Sequence, residues 1–293
     1  MKMIGENLNV MSKVIGTAFK ERNPGPIQEM ALAQKKAGDD WIDINLGPAR
    51  KKGDELMAWV VETVQAVVPD VPLALDTSNI EAMEAGLQVH KGTALMNSIM
   101  CRPERYEKMI PLAAKYNADV VALMWGPEGL PRDENERAAL AVELIYAMNE
   151  AGIANEKIYV DGIVTPVNIQ QQQSMSLLAF MEMLEDIAPG ARSTCGLSNV
   201  SNGPPDHLRP ILNQTYMIML ERKGMYSCIV DSFDERLHQI AWGKRPDLVE
   251  VVHKVMDGAE LNPSGLGKEQ LDFYKTARVI LGHTLYSDSW LEL

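Results

Sequence analysis

The sequence predicts a closed (β/α)8 barrel with an elaborated C-terminal helical layer, and three observations carry that reading. Short apolar runs alternate with longer amphipathic stretches along the chain. Eight apolar runs of strand length can be counted, each followed by helical spacing. The length of 293 residues suits a barrel whose usual size is about 250.

The first strand is expected over 2–7 and the second over 41–46. The helix between them, 24–37, has Pro26 in its first turn and Gly38 just past its end. A helix over 53–67 repeats Val60, Val64, Val67 and Val68 at helical spacing and leads to a strand over 72–77. Ala82, Met83, Ala85 and Leu87 mark a helix over 79–90, before a strand at 94–99. Pro103 opens a helix over 103–116, and a strand over 119–125 follows. Gly152 ends the helix 133–151. Strands at 158–163, 193–199 and 228–232 alternate with helices at 171–188 and 206–223. Strands separated by helices pair in parallel, because only a crossover brings the chain back in the same direction.

An open dinucleotide-binding sheet would carry a glycine fingerprint after its first strand. Here that strand runs into Glu6-Asn7-Leu8-Asn9. Gly265-Leu266-Gly267-Lys268 is no phosphate loop either, because Asn262 stands at its first glycine position. Further helices are expected at 234–242, 246–257 and about 268–282. Residues 1–293 are therefore read as one domain, with an insertion near 242–268 in the last helical layer.

Twenty-eight Lys+Arg against 40 Asp+Glu leave a formal charge of -12, which argues against nucleic-acid partners that need a basic face. No basic run exceeds Arg50-Lys51-Lys52, no secretory pattern opens the chain, and no apolar run approaches a membrane span. Cys101, Cys195 and Cys228 are odd in number and far apart, so a reducing cytoplasm is the expected compartment.

The polar residues then fall into a pattern. Glu6, Asn7 and Asn9 follow the first strand; Asp43 and Asn45 lie late in the second. Asp76, Asn97 and Asp161 end the third, fourth and sixth; Ser198 and Asn199 close the seventh, and Asp231 the eighth. Only the fifth ends apolar, at Leu123-Met124-Trp125. Any one such residue can be a helix cap, as Ser78-Asn79 before Ile80 reads. Together they put carboxylates and amides at the C-terminal mouth, where barrels of this kind carry their chemistry. A lysine-free ring of such groups suits a flat heterocycle rich in N–H and C=O, and suits a phosphorylated sugar poorly.

His90, His207, His238, His253 and His283 have no HxH or HExxH spacing and read as surface or loop residues, so no protein-bound metal is expected. Cys195 and Cys228 fall on neighbouring strands, which leaves a thiolate zinc site as an alternative to two small buried apolar residues.

Several segments together resemble the methyltetrahydrofolate–corrinoid protein methyltransferases, pterin-binding barrel enzymes related to dihydropteroate synthase. They are Ile4-Gly5-Glu6-Asn7-Leu8-Asn9, Asp43-Ile44-Asn45-Leu46-Gly47-Pro48, Leu75-Asp76-Thr77-Ser78-Asn79, Met96-Asn97-Ser98 and Gly196-Leu197-Ser198-Asn199-Val200-Ser201-Asn202. The tail Tyr286-Ser287-Asp288-Ser289-Trp290 continues the series. The resemblance implies that Asp76, Asn97 and Asp161 hold the pyrimidine edge of the pterin and that Gly196 and Ser198 line the pocket floor. It puts Asn199 beside the methyl-bearing N5 as the catalytic residue, with Asn202 and Arg209 toward the outer folate. Glu6, Asn7, Asp43, Asn45, Met124 and Asp231 complete the candidate set.

The implied reaction moves a methyl group between N5 of tetrahydrofolate and the cobalt of a corrinoid, cobalt(I) in one state and methyl–cobalt(III) in the other. Tetrahydrofolate and 5-methyltetrahydrofolate would be substrates, the corrinoid would be carried by a partner protein, and the enzyme would be a homodimer. No DxHxxG corrinoid-binding motif occurs in this chain. Two other readings stand beside it. A dihydropteroate synthase usually supplies a Lys and a Ser-x-Arg pair, to which Ala191-Arg192 is the nearest approach. A pterin-binding subunit without turnover is the second.

Overall fold

The computed structural model describes residues 1–49 and 51–292; Arg50 and Leu293 lie outside them. Eight strands form one parallel sheet: β1 (Lys2–Asn9), β2 (Trp41–Gly47), β3 (Leu73–Thr77), β4 (Leu95–Met100), β5 (Asp119–Leu123), β6 (Ile158–Asp161), β7 (Arg192–Ser193) and β8 (Ser227–Val230). They run β7-β6-β5-β4-β3-β2-β1-β8. The Ile229 N–H donates to the Cys195 carbonyl at 2.8 Å, and Gly196 bridges to Ile229, so the two edges meet and the cylinder closes.

Eleven α-helices surround the described barrel: α1 (Lys13–Glu21), α2 (Pro24–Ala37), α3 (Gly53–Gln65), α4 (Ile80–Val89), α5 (Pro103–Tyr116), α6 (Glu134–Glu150), α7 (Val167–Ile187), α8 (Arg209–Arg222), α9 (Glu235–Ala241), α10 (Pro246–Met256) and α11 (Lys268–Ile280). Their ends follow local chemistry. The side chains of Asn79, Asp133 and Asp234 accept the N–H groups of Ala82, Glu136 and Leu237, and Gly38 closes α2 in the left-handed region at φ 97°. Two helices follow β1 and three follow β8 where the eight-fold layer takes one each; α10 and α11 pack on each other and on α8.

Element ends shift by a few residues, with β6 and β8 each stopping two residues short of expectation and α7 starting four residues early, and three further differences stand out. α1 was not anticipated, although Ser12 caps it and Ile15, Ala18 and Phe19 bury one face. β5 stops at Leu123, and Met124 turns into the core between barrel and helices. β7 is only Arg192–Ser193: after Gly196 the chain winds into a 3₁₀ turn, Leu197–Ser201, which carries Ser198 and Asn199. The short strand is viable because side-chain bonds support it. Ser227 Oγ donates to the Ser193 carbonyl at 3.0 Å, and Tyr226 N–H to Ser193 Oγ at 3.0 Å.

Strand alternation separates two apolar layers. Ile42, Ile44, Leu73, Leu75, Val120 and Ala122 face the helices in the main core. Ile4, Ala74, Leu95, Val121 and Tyr159 form a second cluster inside the barrel, flanked by Trp41, Tyr226 and Ile229. Arg192 lies over the rings of Tyr159 and Tyr226 at 5.3 and 5.2 Å and donates to the Tyr159 hydroxyl, closing the N-terminal pole. The barrel is plugged there, so any ligand enters from the opposite mouth.

Candidate functional site

The period of two that builds the plug also builds the site. Two residues beyond Ile4, Trp41, Ala74, Leu95, Tyr159 and Ile229 stand Glu6, Asp43, Asp76, Asn97, Asp161 and Asp231. One polar layer therefore sits directly above one apolar layer on the same inward faces. Register shifts lie near this level in β1 (between Gly5 and Leu8), β2 (between Asn45 and Gly47) and β4 (between Met96 and Ile99). Such bulges re-aim side chains at strand ends.

Along the arc from β2 to β6 the polar groups bond to one another. Asn97 Nδ2 donates to Asp43 Oδ1 at 3.0 Å, and Asn45 Nδ2 donates to Asp76 Oδ2. Asn45 Oδ1 in turn accepts the Gly47 N–H at 3.0 Å, fixing which end of the amide faces Asp76. Asp161 Oδ1 accepts the Ile163 N–H at 2.8 Å. Asp43, Asn97 and Asp161 are buried. Burial disfavours the charged carboxylates and pushes Asp76 and Asp161 up to about 7. Asp43 is also raised well above the usual range, first by burial and then by the charge of Asp76, against the Asn97 bond.

The remaining arc, β7–β8–β1, is open. It borders a cleft of about 910 Å³ whose lining includes Glu6, Asn7, Ser198, Arg209, Asp231 and Phe233. Ser198 Oγ donates to Glu6 Oε2 at 3.0 Å, and Asn7 Nδ2 to Asp231 Oδ1 at 2.9 Å. Burial raises Glu6, the Ser198 bond opposes this, and the nearby Asp231 and Arg209 charges pull in opposite directions. Arg209 Nε donates to Ser201 Oγ at 3.3 Å, whose hydroxyl donates to the Ser198 carbonyl at 3.1 Å. Asn199 is exposed, and its Nδ2 lies 3.0 Å from where a Cβ on residue 196 would sit. Glycine at 196 thus lets the Asn199 amide fold back over the strand end. Asn202 is exposed on the following loop, and its N–H donates to the Asn199 carbonyl at 3.1 Å.

Most of the candidates therefore gather at one mouth, in two differently built arcs. Met124 does not; it is fully buried in the outer core. Two further groups were not anticipated. His238 is buried rather than superficial: its Nε2 lies 3.2 Å from Asp39 Oδ1, and Ser232 Oγ donates to Asp39 Oδ2 at 2.5 Å. Burial pulls His238 down, but the Asp39 and Asp234 contacts outweigh it and leave the imidazole raised. Arg137 of α6 is fully buried and donates to the Gly162 carbonyl beside Asp161. Neither pairing has a spacing signal, since its members are far apart in sequence.

Cys195 Sγ and Cys228 Sγ lie 3.6 Å apart, and Cys228 donates to Met1 Sδ at 3.3 Å. Among the described residues no cluster of three or more His, Cys, Asp or Glu is placed to hold a metal ion. No described helix is long and apolar enough to cross a membrane.

The family and the fold have counterparts among known proteins. The model of the family described as pterin binding enzyme matches residues 7–231. A methylcorrinoid:tetrahydrofolate methyltransferase of Eubacterium limosum is 28% identical over 233 residues, 79% of this chain and 85% of that protein. A methionine synthase of Mycobacterium leprae is 27% identical over 78% of this chain, which spans only 20% of that longer protein. Among solved structures, a dihydropteroate synthase of Xanthomonas albilineans with 4-aminobenzoic acid superposes with a TM-score of 0.64 at 20% identity, covering 83% of this chain and 91% of that one. This last likeness is one of fold. The chain belongs to the pterin binding enzyme family.

Proposed function

We propose that the protein is a methyltransferase that exchanges a methyl group between N5 of tetrahydrofolate and the cobalt of a corrinoid held by a partner protein. The observation that carries this reading is the buried layer of carboxylates and amides on the β2–β6 arc, above an apolar floor. The pyrimidine edge of a reduced pterin offers an amino group and ring N–H donors, and Asp76, Asn97 and Asp161 are acceptors at the matching height. Carboxyl groups poised at about 7 ionise when such donors reach them, so the layer pairs with the pterin and discriminates against rings lacking the donors. The relative from Eubacterium limosum, matched over most of both chains, supports the same substrates.

Asn199 is the residue assigned to N5. Its side chain is exposed at the mouth, so its amide can turn either its N–H or its carbonyl toward N5 as the charge there changes. The corrinoid cobalt supplies the methyl acceptor or donor when its carrier protein docks. The chain's own contribution is alignment and preorganised polar groups. Arg209, on the open arc, is assigned to the carboxylates of the folate tail. The homodimer, the cytoplasmic location and the single domain with an insertion at 242–268 belong to the same proposal.

Rapid mixing of methyltetrahydrofolate and cobalt(I) cobalamin with the protein tests it. Methylcobalamin formation that saturates with methyltetrahydrofolate is the expected result. Tight binding without transfer would favour a non-catalytic pterin subunit, and condensation with p-aminobenzoate would favour a dihydropteroate synthase.

A further inference from the structure

Arg137 makes no contact with the mouth, yet its surroundings are built around one residue of it. The side chain is fully buried, and its described hydrogen bonds all go to neutral oxygens. Its three donating nitrogens are all used. Nε donates to the Gly162 carbonyl at 2.7 Å, Nη1 to Ser176 Oγ at 2.8 Å and Nη2 to Gln173 Oε1 at 2.6 Å. Gln173 Nε2 also donates to the Arg132 carbonyl at 2.9 Å, so the cluster joins the loop before α6, α6 itself, α7 and the turn after β6.

That turn is unusual. Ile163 has φ of 69°, and a β-branched residue in the left-handed region is a genuine outlier that the surroundings must hold. Gly162 has no room for a side chain: a Cβ there would meet Leu177 Cδ1 at 2.5 Å and Phe180 Cδ1 at 2.9 Å. The payoff is the aim of one donor, since in this conformation the Ile163 N–H reaches Asp161 Oδ1 at 2.8 Å. The carbonyl between these two residues is the one that Arg137 holds.

We propose that Arg137 is a positioning residue for Asp161: its guanidinium locks the Gly162–Ile163 turn and, through its charge, keeps the Asp161 carboxylate available to a pterin donor. The second half rests on the pterin reading; the first does not. Burial raises Asp161, and both the Ile163 bond and the Arg137 charge oppose that rise. The other titratable groups around the pair are Cys195 just after β7, Tyr216 on α8, and Asp133 and Glu134 at the start of α6. The Cys228 hydrogen bond and burial raise Cys195, and burial raises Tyr216, so both stay neutral near pH 7. The charges of Glu134 and Asp133 favour the Arg137 cation, and Ser176 Oγ, which accepts from Arg137, donates to Glu134 Oε2 at 3.1 Å.

The test follows the Asp161 carboxyl by ¹³C NMR in the ligand-free protein, with Asp161→Asn to assign the signal. Arg137→Met should move its titration midpoint upward by about one pH unit, because a cation that favours the charged form is gone. Arg137→Lys keeps the charge but cannot span three acceptors, so it should hold the midpoint within a few tenths of a unit while weakening binding of a tetrahydropterin about tenfold. Arg137→Met combined with Asp161→Asn should lose no more affinity than Asp161→Asn alone. Arg137→Gln, which removes the charge but keeps a donor, covers the case in which Arg137→Met does not fold; it should shift the midpoint in the same direction. An unmoved midpoint in Arg137→Met, or in Arg137→Gln where that is the variant that folds, overturns the assignment. If the wild type binds no tetrahydropterin, the pterin reading fails while the NMR titration still decides the role of Arg137.

Discussion

The two arcs of the mouth carry similar residues and are built differently. From β2 to β6, Asp43, Asn45, Asp76 and Asn97 satisfy one another, and Asp161 leans on its own turn. From β7 through β8 to β1, Glu6, Asn7, Asp231 and Arg209 face an open cleft of about 910 Å³. Desolvated polar groups are costly and gain strongly from a matching partner, while solvated ones cost little and gain little. The closed arc therefore suits an invariant ring, and the open arc suits what varies: the tail of the substrate and the approach of a partner.

Breaking the closed arc should have the largest effect. Asp161→Ala and Asp76→Ala should each weaken methyltetrahydrofolate binding on the order of 100-fold, because a buried ligand donor is left unpaired. Asp231→Ala on the open arc should change it less than about threefold. Calorimetric titration, with circular dichroism to check the fold, compares the three directly. Equal losses on both arcs would erase the distinction.

Asn199 stands on the open side but is assigned to the reacting atom. Asn199→Ala should slow methyl transfer about 30-fold with binding changed less than about threefold, a split visible in single-turnover kinetics. Arg209→Ala sharpens the contrast further. It should weaken methyltetrahydrofolate about fivefold yet leave a tail-free tetrahydropterin unaffected, since a partly exposed charge pair contributes modestly.

The smallest effect concerns stability and has a definite sign. Asp76 and Asp161 are raised from about 3.8 to about 7, so the folded, ligand-free protein holds protons that the unfolded chain releases. Their stabilising contribution is complete below about pH 4 and is lost as pH rises through about 7. Asp161→Asn removes that dependence, and should raise Tm at pH 8 by about 2–4 °C for each kcal/mol recovered while abolishing the gain at pH 4. Such a variant would be more stable and less able to bind, the usual trade at a functional site.

Much of this was legible in the residues. Alternating apolar and amphipathic runs gave the strand and helix order, and the period of two put Asp43, Asp76, Asn97 and Asp161 on faces shared with Trp41, Ala74, Leu95 and Tyr159. The brevity of β7 was hidden, because Cys195 to Asn199 alternates like a strand although Gly196 lets it turn. Arg137 was hidden for another reason. An arginine in a charged helix reads as solvated, and only the fold brings Gly162 and Ser176 to it. Asp39 and His238 likewise meet only when α9 folds back against the end of α2. Local pattern reports backbone elements well; it is silent on long-range pairs of polar side chains.

The most direct measurement is equilibrium titration of the wild-type protein with a tail-free reduced pterin across pH 5–9. The account predicts saturable binding whose proton linkage changes sign or size near pH 7 and disappears when Asp76 and Asp161 are both converted to Asn. Absence of binding, or binding indifferent to those two substitutions, would contradict it.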